Sequence, residues 1–502
     1  MAPRSAGRAR GAPRRGAGHV TSGRRPRRPG RGGRAPARRG AGRASDPPHG
    51  PRDGADPARR AAYDVLRAVA DRDAYANLTL PRLLTQRQIT GRDAAFATEL
   101  CYGALRGQGT LDVILAESSS RSLERVDPPV RDALRLGAYQ LLCTRVPPHA
   151  AVSTAVALAR SERGAGAAGF VNAVLRRVAE RDLDAWVAAL APPDELGRLA
   201  LAHAHPVWIA AAISEALDGD LTETARALAA NNERPAVHLV ALPGRIDRDQ
   251  LVAETDGEPG SLSPCAVRLP GGAPGDLPAV AGHRAAVQDE GSQLVALAVA
   301  NARLDGADSR WLDLCAGPGG KAALLGAVAR QRGAGVVAVE VSAHRARLVR
   351  SSVDDLPVRV IQADGRDVGR HADLPEGRFD RVLVDAPCTG LGALRRRPEA
   401  RWRRAEADLA GLTALQRELL TAGLRAVRPG GVLGYVTCSP HRDETSAVVE
   451  WARREQADRI ELLDARPLLA PAAGLGDGPT AQLWPHRHGA DAMFLALIRR
   501  SG

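Results

Sequence analysis

The 502-residue sequence is poor in aromatic residues and cysteines and contains a single lysine. Phe, Trp and Tyr make up only 3% of the chain, so its hydrophobic cores must consist mainly of Ala, Val and Leu. Six cysteines without a CxxC pair predict reduced thiols rather than a disulfide framework, and no metal site is expected. No apolar run of about 18 residues is present, and no apolar segment follows the Arg-rich start. These absences predict neither a membrane span nor a signal peptide, and a cytoplasmic location is expected.

The scarcity of lysine draws attention to the one position that has it. Lys321 is the only lysine among 70 basic residues, and it lies in a glycine-rich segment. An ammonium is more compact than a guanidinium fork, so a chain this strongly biased toward Arg is expected to keep Lys where the fork does not fit. Lys321 therefore indicates a functional site.

The net charge of +13 belongs to one end of the chain. Residues 1–50 contain 14 Arg and a single acid, Asp46, and the remainder carries 56 basic and 56 acidic residues. The Arg/Gly/Pro-rich composition predicts that residues 1–55 form a disordered tail. Such a tail could bind RNA phosphates non-specifically, or it could be an extension without a role. Net charge alone therefore does not predict an RNA substrate.

The length predicts a multidomain chain. Over residues 56–184, Ala, Leu and Val recur at helical spacing with a short break near Gly107, which predicts an all-α bundle. Residues 185–285 predict a small α+β connecting domain, with a helix near Val207–Ala216 and strands near Val237–Leu242 and Ala266–Leu269.

Residues 286–502 alternate short apolar runs with helical segments, which predicts an α/β domain with a mostly parallel sheet covered on both faces. The five candidate strands are Trp311–Cys315, Val336–Glu340, Val358–Gln362, Arg381–Asp385 and Gly431–Thr437. In such sheets ligands bind at the carboxyl ends of the strands. Each motif described below lies at one of these ends.

The first three strand ends suggest a cofactor site. Asp313–Lys321 is predicted as a strand, a glycine-rich loop and a helix, with spacing that fits neither GxGxxG nor a P-loop. Glycines there let the backbone approach a ligand closely. At the next strand end Glu340 is suited to accept hydrogen bonds from the ribose hydroxyls of an adenosine-containing cofactor, and Asp364 is expected to meet the adenine. Each feature alone could be a turn or a helix cap, but the three in succession favour a cofactor site.

The last two strand ends carry cysteines, Cys388 and Cys438. Carbon 5 of cytosine is too weakly nucleophilic to be methylated directly, so a thiolate must first add at carbon 6. An acid near ring nitrogen 3 stabilises that adduct, and Asp385 lies beside the site. A lone free cysteine is more often a small buried hydrophobe, which we expect for the remaining positions, Cys101, Cys143, Cys265 and mostly Cys315.

These motifs resemble those of the bacterial Sun/Fmu group of RNA cytosine-5 methyltransferases, within the Nol1/Nop2/Sun family. The resemblance covers nearly the whole chain after the tail: the helical part is similar to a NusB-like RNA-binding domain, and Asn231–Pro235 and Val287–Gln293 resemble the group's connecting and pre-catalytic motifs. It implies a Rossmann-like class I methyltransferase domain over residues 286–502. It also implies that S-adenosylmethionine is bound by Cys315, Ala316, Gly317, Pro318, Gly319, Gly320, Lys321, Glu340, Asp364 and Asp385.

The resemblance also assigns roles that the residues alone leave open. It implies that Cys438 is the nucleophile and that Cys388 helps to release the product. The implied reaction is methylation of carbon 5 of a cytidine in 16S ribosomal RNA, free or in an early small-subunit particle, by a monomer. Four residues after Cys388 match a substrate-side motif that implies RNA contact, namely Arg396, Arg397, Arg401 and Trp402. The chain departs from the family after the nucleophile, where Glu444 is followed by Thr445 instead of Asn.

Other functions stay open at this point. In DNA cytosine-5 methyltransferases the proline-cysteine motif supplies the nucleophile, but Cys438 and the lack of a long target-recognition insert favour RNA. An RNA-binding or antitermination-like factor with a vestigial methylase fold is a second alternative, which the intact Lys321, Asp385 and cysteine pair argue against. A third alternative is a cytosine-5 methyltransferase that acts on a different RNA.

Overall fold

The computed structural model describes residues 56–501, so the predicted tail lies outside the described residues. The helices are α1 (Pro57–Arg72), α2 (Ala76–Gln86), α3 (Gly91–Ser118), α4 (Pro128–Cys143), α5 (Pro148–Val178), α6 (Leu183–Ala189), α7 (Glu195–Ala202), α8 (Val207–Ala216), α9 (Leu221–Ala230), α10 (Arg248–Thr255), α11 (Pro278–Ala281), α12 (Glu290–Asn301), α13 (Gly320–Gln331), α14 (Ala343–Ser352), α15 (Ala400–Arg403), α16 (Asp408–Ala426), α17 (Ser446–Glu455) and α18 (Pro485–His488). The strands are β1 (Val237–Ala241), β2 (Glu258–Pro259), β3 (Ala266–Leu269), β4 (Ala285–Val287), β5 (Arg310–Asp313), β6 (Gly335–Val339), β7 (Val358–Ile361), β8 (Phe379–Asp385), β9 (Val427–Thr437), β10 (Ile460–Leu463), β11 (Ala481–Gln482) and β12 (Phe494–Arg500).

Helices α1 to α5 pack around one apolar core, which confirms the predicted helical bundle. Helix α1 begins where Asp56 accepts a hydrogen bond from the Arg59 amide at 3.0 Å, followed by a proline at the first helical position. The predicted break at Gly107 is wrong, because α3 continues through it to Ser118. A glycine in this helix serves packing: a Cβ at Gly109 would lie 2.4 Å from the Trp402 ring.

The connecting region pairs helices with a small sheet. Helix α8 has the predicted bounds, and the antiparallel sheet has the strand order β2-β3-β1-β4. Val237 on β1 faces Leu269 on β3, so the two predicted strands are direct neighbours. Among residues 56–501, no single helix has the length and apolarity to cross a membrane, although α7 and α8 meet that test together as a pair bent by 111°.

The C-terminal region is an α/β sandwich with the strand order β10-β12-β9-β8-β5-β6-β7. Strands β9 to β7 are parallel and include all five predicted strands, which confirms the fold class. One apolar cluster lies between the sheet and α12 and α13, and another between the sheet and α16 and α17. Burial on both faces accounts for the apolar runs that identified the strands. The sequence did not predict the antiparallel strands β10 and β12.

The strand order fixes where a ligand-binding crevice lies. The chain runs from β5 outward through β6 and β7, then returns to the other side of β5 with β8 and β9. The crossover connections therefore leave a crevice at the carboxyl ends of β5 and β8, which is where open α/β sheets bind ligands. The predicted site motifs follow the five parallel strands, β5 to β9, at this same edge of the sheet.

Candidate active site

A cavity of about 720 Å³ opens at the carboxyl ends of the parallel strands. It brings together predicted residues from five strand ends, namely Cys315, Gly317, Glu340, Asp364, Asp385, Cys388 and Cys438. Of the other predicted cofactor residues, Ala316, Pro318, Gly319, Gly320 and Lys321 belong to the loop and helix start behind the cavity wall rather than to its lining.

The glycine-rich loop holds its backbone against Glu340. A Cβ on Gly317 would lie 2.1 Å from Glu340 Oε2, so this contact excludes any side chain. Gly319 has a φ of 120°, a conformation that L side chains rarely adopt. The two glycines therefore shape a close backbone wall at the end of β5.

Glu340 is 4% exposed and is fixed by its own loop. Its Oε1 accepts a hydrogen bond from the Ser342 amide at 2.7 Å and forms a salt bridge with Arg345 at 2.9 Å. Its Oε2 faces the loop and the cavity. This arrangement leaves a carboxylate oxygen suited to ribose hydroxyls.

Asp364 also lines the cavity, but it is engaged with a neighbour. It accepts a hydrogen bond from the Arg366 amide at 2.9 Å and pairs with the Arg366 guanidinium at 2.6 Å. That hydrogen bonding holds the pKa of Asp364 below its usual value. A role for Asp364 at the adenine stays a prediction.

Lys321 and Asp385 form a largely buried ion pair, with Nζ 2.8 Å from Oδ2. Burial disfavours the charged ammonium, yet Asp385 outweighs it and raises the pKa of Lys321. The pair joins the start of α13 to the end of β8, so the sole lysine ties the cofactor loop to the strand that leads to Cys388.

Sequence reasoning assigned no role to Asp313, which ends β5 near Lys321 and Asp385. Asp313 is fully buried, and its Oδ2 has no hydrogen-bond partner within residues 56–501. Burial and the nearby Asp385 raise its pKa to about 7. An unpartnered buried acceptor beside a glycine cradle fits a ligand that carries an amino group, as S-adenosylmethionine does. An acid that directly precedes a glycine-rich loop was the available signal.

The two cysteines lie with their sulfur atoms 3.4 Å apart. Cys438 directly follows β9, and Cys388 follows β8 by three residues. Because β8 and β9 are parallel neighbours, their ends bring both thiols to the same cavity wall. Of the other cysteines, Cys101 is fully buried as expected, whereas the expectation for Cys143 is wrong, since it lies exposed at the end of α4.

The environment makes the two thiols unequal. A hydrogen bond from Cys388, with the positive charges of Lys321 and Arg397, lowers the pKa of Cys438. The same hydrogen bond, together with burial and the nearby Glu444, raises the pKa of Cys388. Cys438 is therefore the thiol favoured as a thiolate.

Glu444 fastens the two cysteine loops together, a role that sequence reasoning missed. Its fully buried carboxylate accepts hydrogen bonds from the Thr389 amide at 2.7 Å, the Thr389 hydroxyl and Gln416 Nε2 at 3.1 Å. The Tyr435 hydroxyl donates to its main-chain carbonyl at 2.8 Å. Thr389 follows Cys388, so Glu444 restrains the loop that carries this thiol. The signal was an acid six residues after Cys438.

Three of the four residues predicted to contact RNA bind other parts of the protein, and for the fully buried Arg401 the prediction is wrong. Arg401 is fully buried and donates to Asn231 O at 2.7 Å and Asn232 Oδ1 at 2.6 Å. Trp402 packs on Gly109 and donates from Nε1 to a main-chain oxygen of α3 at 3.3 Å. Arg401 is therefore closed to direct RNA contact, whereas Trp402 is only half-buried and an RNA contact at its ring stays a prediction.

Arg396 is likewise occupied by protein. It pairs with Asp289 at 2.6 Å and with Asp491 at 3.0 Å, and both acids are buried. Arg397, by contrast, is exposed and lines the cavity. Arg397 is therefore the most exposed of the four residues and the one that lines the cavity.

Comparisons with known proteins agree with this geometry. The model of the family described as 16S rRNA methyltransferase RsmB/F matches residues 302–499, and that of the NusB family matches residues 56–180. A Mycobacterium tuberculosis protein named as a methyltransferase, Rv1407, is 57% identical over 449 residues, 89% of this chain and 97% of its own. Ribosomal RNA small subunit methyltransferase B of Salmonella paratyphi B is 34% identical over 448 residues, 88% of this chain and 98% of its own.

A solved structure supports the fold across almost the whole chain. The crystal structure of PH0851 is similar with a TM-score of 0.75 and 22% identity, covering 89% of this chain and 100% of that one. The two sequence relatives are matched over nearly their full length. The chain therefore belongs to the 16S rRNA methyltransferase RsmB/F family and is a methyltransferase.

Proposed function

We propose that this protein transfers a methyl group from S-adenosylmethionine to carbon 5 of a cytidine in 16S ribosomal RNA, through a covalent adduct on Cys438. The observation that carries the proposal is the pair of thiols 3.4 Å apart in a cavity that Asp385 also lines, with Lys321 paired to Asp385 behind the cavity wall. The choice of 16S ribosomal RNA rests on the family and on the names of relatives.

The cofactor residues follow from the cavity wall. Glu340 Oε2 would accept hydrogen bonds from the ribose hydroxyls, and the Gly317 backbone would lie against the ligand. Asp313 Oδ2 would accept from its amino group. S-adenosylmethionine supplies an electrophilic methyl group when bound. Both carboxylate oxygens are hydrogen-bond acceptors, as the hydroxyls of an uncharged ribose and a charged amino group require.

Cys438 begins the reaction on the base. Its thiolate forms a bond to carbon 6, and ring nitrogen 3 receives, through Asp385, a proton from the paired ammonium of Lys321, so that carbon 5 gains enamine character. After carbon 5 has gained the methyl group, a base removes the carbon 5 proton. The carbon 5–carbon 6 double bond then reforms, the thiolate of Cys438 leaves, and nitrogen 3 returns its proton through Asp385 to Lys321.

Cys388 is assigned to product release. Its sulfur is hydrogen-bonded to that of Cys438, and its loop is held by Glu444. Once Cys438 is bonded to carbon 6, it no longer supplies the hydrogen bond and negative charge that raise the pKa of Cys388, so Cys388 can lose its proton to water and take up the carbon 5 proton as a thiolate. The lowered pKa of Cys438 and the raised pKa of Cys388 support this order of roles.

The test pairs variants with opposite outcomes. With unmodified 16S ribosomal RNA and radiolabelled S-adenosylmethionine, Cys438→Ala is expected to lose both turnover and covalent RNA adducts. Cys388→Ala is expected to form adducts that denaturing gels retain and to release product poorly. Cys143→Ala, at an exposed thiol on α4 outside the cavity lining, is the matched control. Adducts that persist in Cys438→Ala and vanish in Cys388→Ala would reverse the assignment.

The substrate is tested in cells. Bisulfite sequencing of ribosomal RNA from a strain without this protein should show the loss of one 5-methylcytidine in 16S ribosomal RNA, restored by the wild-type gene but not by Cys438→Ala. Loss of the mark in a different RNA would redirect the proposal to that RNA.

A further inference from the structure

The helical region contributes to the wall of the catalytic cavity. The turn between α1 and α2 brings Asp73 and Tyr75 to the same cavity that holds Cys388 and Cys438. Helix α2 is anchored nearby, because the Ala76 amide donates a hydrogen bond to the buried Glu399 at 3.3 Å. The catalytic cavity is therefore built from two regions of the chain.

Tyr75 is unusual in its exposure. Its side chain is 46% exposed, and it is the only aromatic residue among the exposed large hydrophobic side chains of residues 56–501. Aromatic residues make up only 3% of this chain. An aromatic ring gains most when it is covered, so one left open in a catalytic cavity points to a ligand that covers it.

Two guanidinium groups lie on this ring. Cζ of Arg397 is 5.3 Å from the ring centroid, and Cζ of Arg403 is 5.4 Å from it. Arg403 is fixed by hydrogen bonds to the main-chain oxygens of Val69 at 3.1 Å and Ala74 at 2.6 Å. Arg397 forms no salt bridge to any residue in the described part of the chain and is exposed in the cavity.

The charge around the ring favours a polyanion. Two acids lie near it. The Asp73 carboxylate lies 3.9 Å from Arg403 Nε and is 91% exposed, where a single ion pair contributes little, and burial raises the pKa of Glu399, which disfavours its charged form. Unpaired RNA bases stack on aromatic rings and on guanidinium groups, and the same guanidinium cations pair with phosphates.

We propose that Tyr75, Arg397 and Arg403 form a subsite for an unpaired RNA nucleotide next to the target cytidine. Its base would extend the stack on Tyr75 or on the guanidinium plane of Arg397, and its phosphate would pair with the arginines. The helical region thereby recognises RNA inside the catalytic cavity. This inference rests on the proposed RNA substrate, since the neighbouring nucleotide is defined by the cytidine at Cys438.

A purely structural role for the cluster predicts different behaviour. If Tyr75 only joined the helical and catalytic regions, its removal would lower thermal stability and affect all ligands alike. If it stacks on RNA, its removal weakens RNA binding and leaves S-adenosylmethionine binding unchanged. Measurements of RNA affinity, S-adenosylmethionine affinity and the melting temperature on the full chain separate these cases.

The experiment compares Tyr75→Ala, Tyr75→Phe and the control Leu78→Ala, which removes an apolar side chain that is 54% exposed one turn later on α2. The probe is a short fluorescent single-stranded RNA around a cytidine. Tyr75→Ala should weaken its binding about 5- to 150-fold, the range that follows from the loss of one base stack. Tyr75→Phe keeps the ring and should restore binding, and Leu78→Ala should match the wild type.

A second variant tests the charge. Arg397→Gln should reduce the dependence of log affinity on log salt by about 0.7, the value for one phosphate contact on a single strand. Equal RNA affinity in Tyr75→Ala and the wild type, or a parallel loss of S-adenosylmethionine affinity and melting temperature, overturns the subsite. Because binding is measured without turnover, a wild type that binds this RNA through Tyr75 but methylates none would refute the proposed function alone.

Discussion

Replacing Glu444 by Gln is expected to slow catalysis without unfolding the protein. The buried carboxylate accepts hydrogen bonds from the Thr389 amide, the Thr389 hydroxyl and Gln416. In glutamine one oxygen becomes an NH₂ group that cannot accept, so one hydrogen bond to a charged acceptor is lost, worth about 1.5–3 kcal/mol. Thr389 directly follows Cys388, so the lost restraint acts on the position of that thiol.

The expected rate follows from that energy. If all of it falls on the step that needs Cys388, kcat decreases by about 10- to 150-fold, and covalent RNA adducts accumulate. Glu444→Ala leaves the buried Thr389 amide without a partner, while the Thr389 hydroxyl keeps Ser439 and Gln416 keeps the Pro387 carbonyl, and the unpaired amide alone should cost about 1–3 kcal/mol of unfolding free energy. The conservative variant is therefore the informative one.

Multiple-turnover methylation, adduct retention on denaturing gels and urea unfolding, measured side by side, check the prediction. Glu450→Gln changes an acid on α17 whose side chain is 54% exposed, and it should leave all three quantities at their wild-type values. A Glu444→Gln protein with wild-type kcat and normal adduct release would refute the reasoning. A loss of stability with no loss of rate would reduce Glu444 to a structural residue.

Three further outcomes are expected. Lys321→Met removes a positive charge that holds the pKa of Cys438 down, so the acid limb of the kcat/KM profile should move to higher pH, because the thiolate then forms only at higher pH. Glu340→Gln weakens a charged acceptor and should lower S-adenosylmethionine affinity about 10- to 150-fold by calorimetry. Gly109→Ala forces a Cβ to 2.4 Å from Trp402 and should cost about 1–3 kcal/mol of unfolding free energy in urea titrations.

The sequence predicted the parts of this fold that depend on local pattern. Strands β5 to β9 are apolar runs buried on both faces, and each ends at a motif, so their order also predicted the shared cavity. Periodicity failed where packing overrides a local preference. Glycine is unfavourable inside a helix, so Gly107 predicted a helix end. Helix α3 nevertheless continues, because Gly103 and Gly109 let Tyr139 and Trp402 pack closely against it.

In the site, too, local patterns predicted which residues are present but not the contacts between them. The two thiols could be found but not ranked, because their difference depends on the hydrogen bond between them and on the charges of Lys321, Arg397 and Glu444, which only the folded chain brings around them. Glu444 meets Thr389 across 55 residues. Contacts of this kind depend on which strand ends become neighbours, and no local spacing encodes them.

The arginine-rich segment after Cys388 connects the loops that carry the two thiols to the helical and connecting regions. Its composition indicated RNA contact, but Arg401 reaches Asn231 across 170 residues, and its burial without a carboxylate lowers its pKa to about 9. Upstream in the same stretch, the Gly392 amide donates to Cys438 O at 2.9 Å. A continuous chain therefore links the thiol loops to the helical region that carries Tyr75. Displacement of that region by RNA must be shared with the loops, so RNA binding and the geometry of the thiols are expected to be reciprocally coupled.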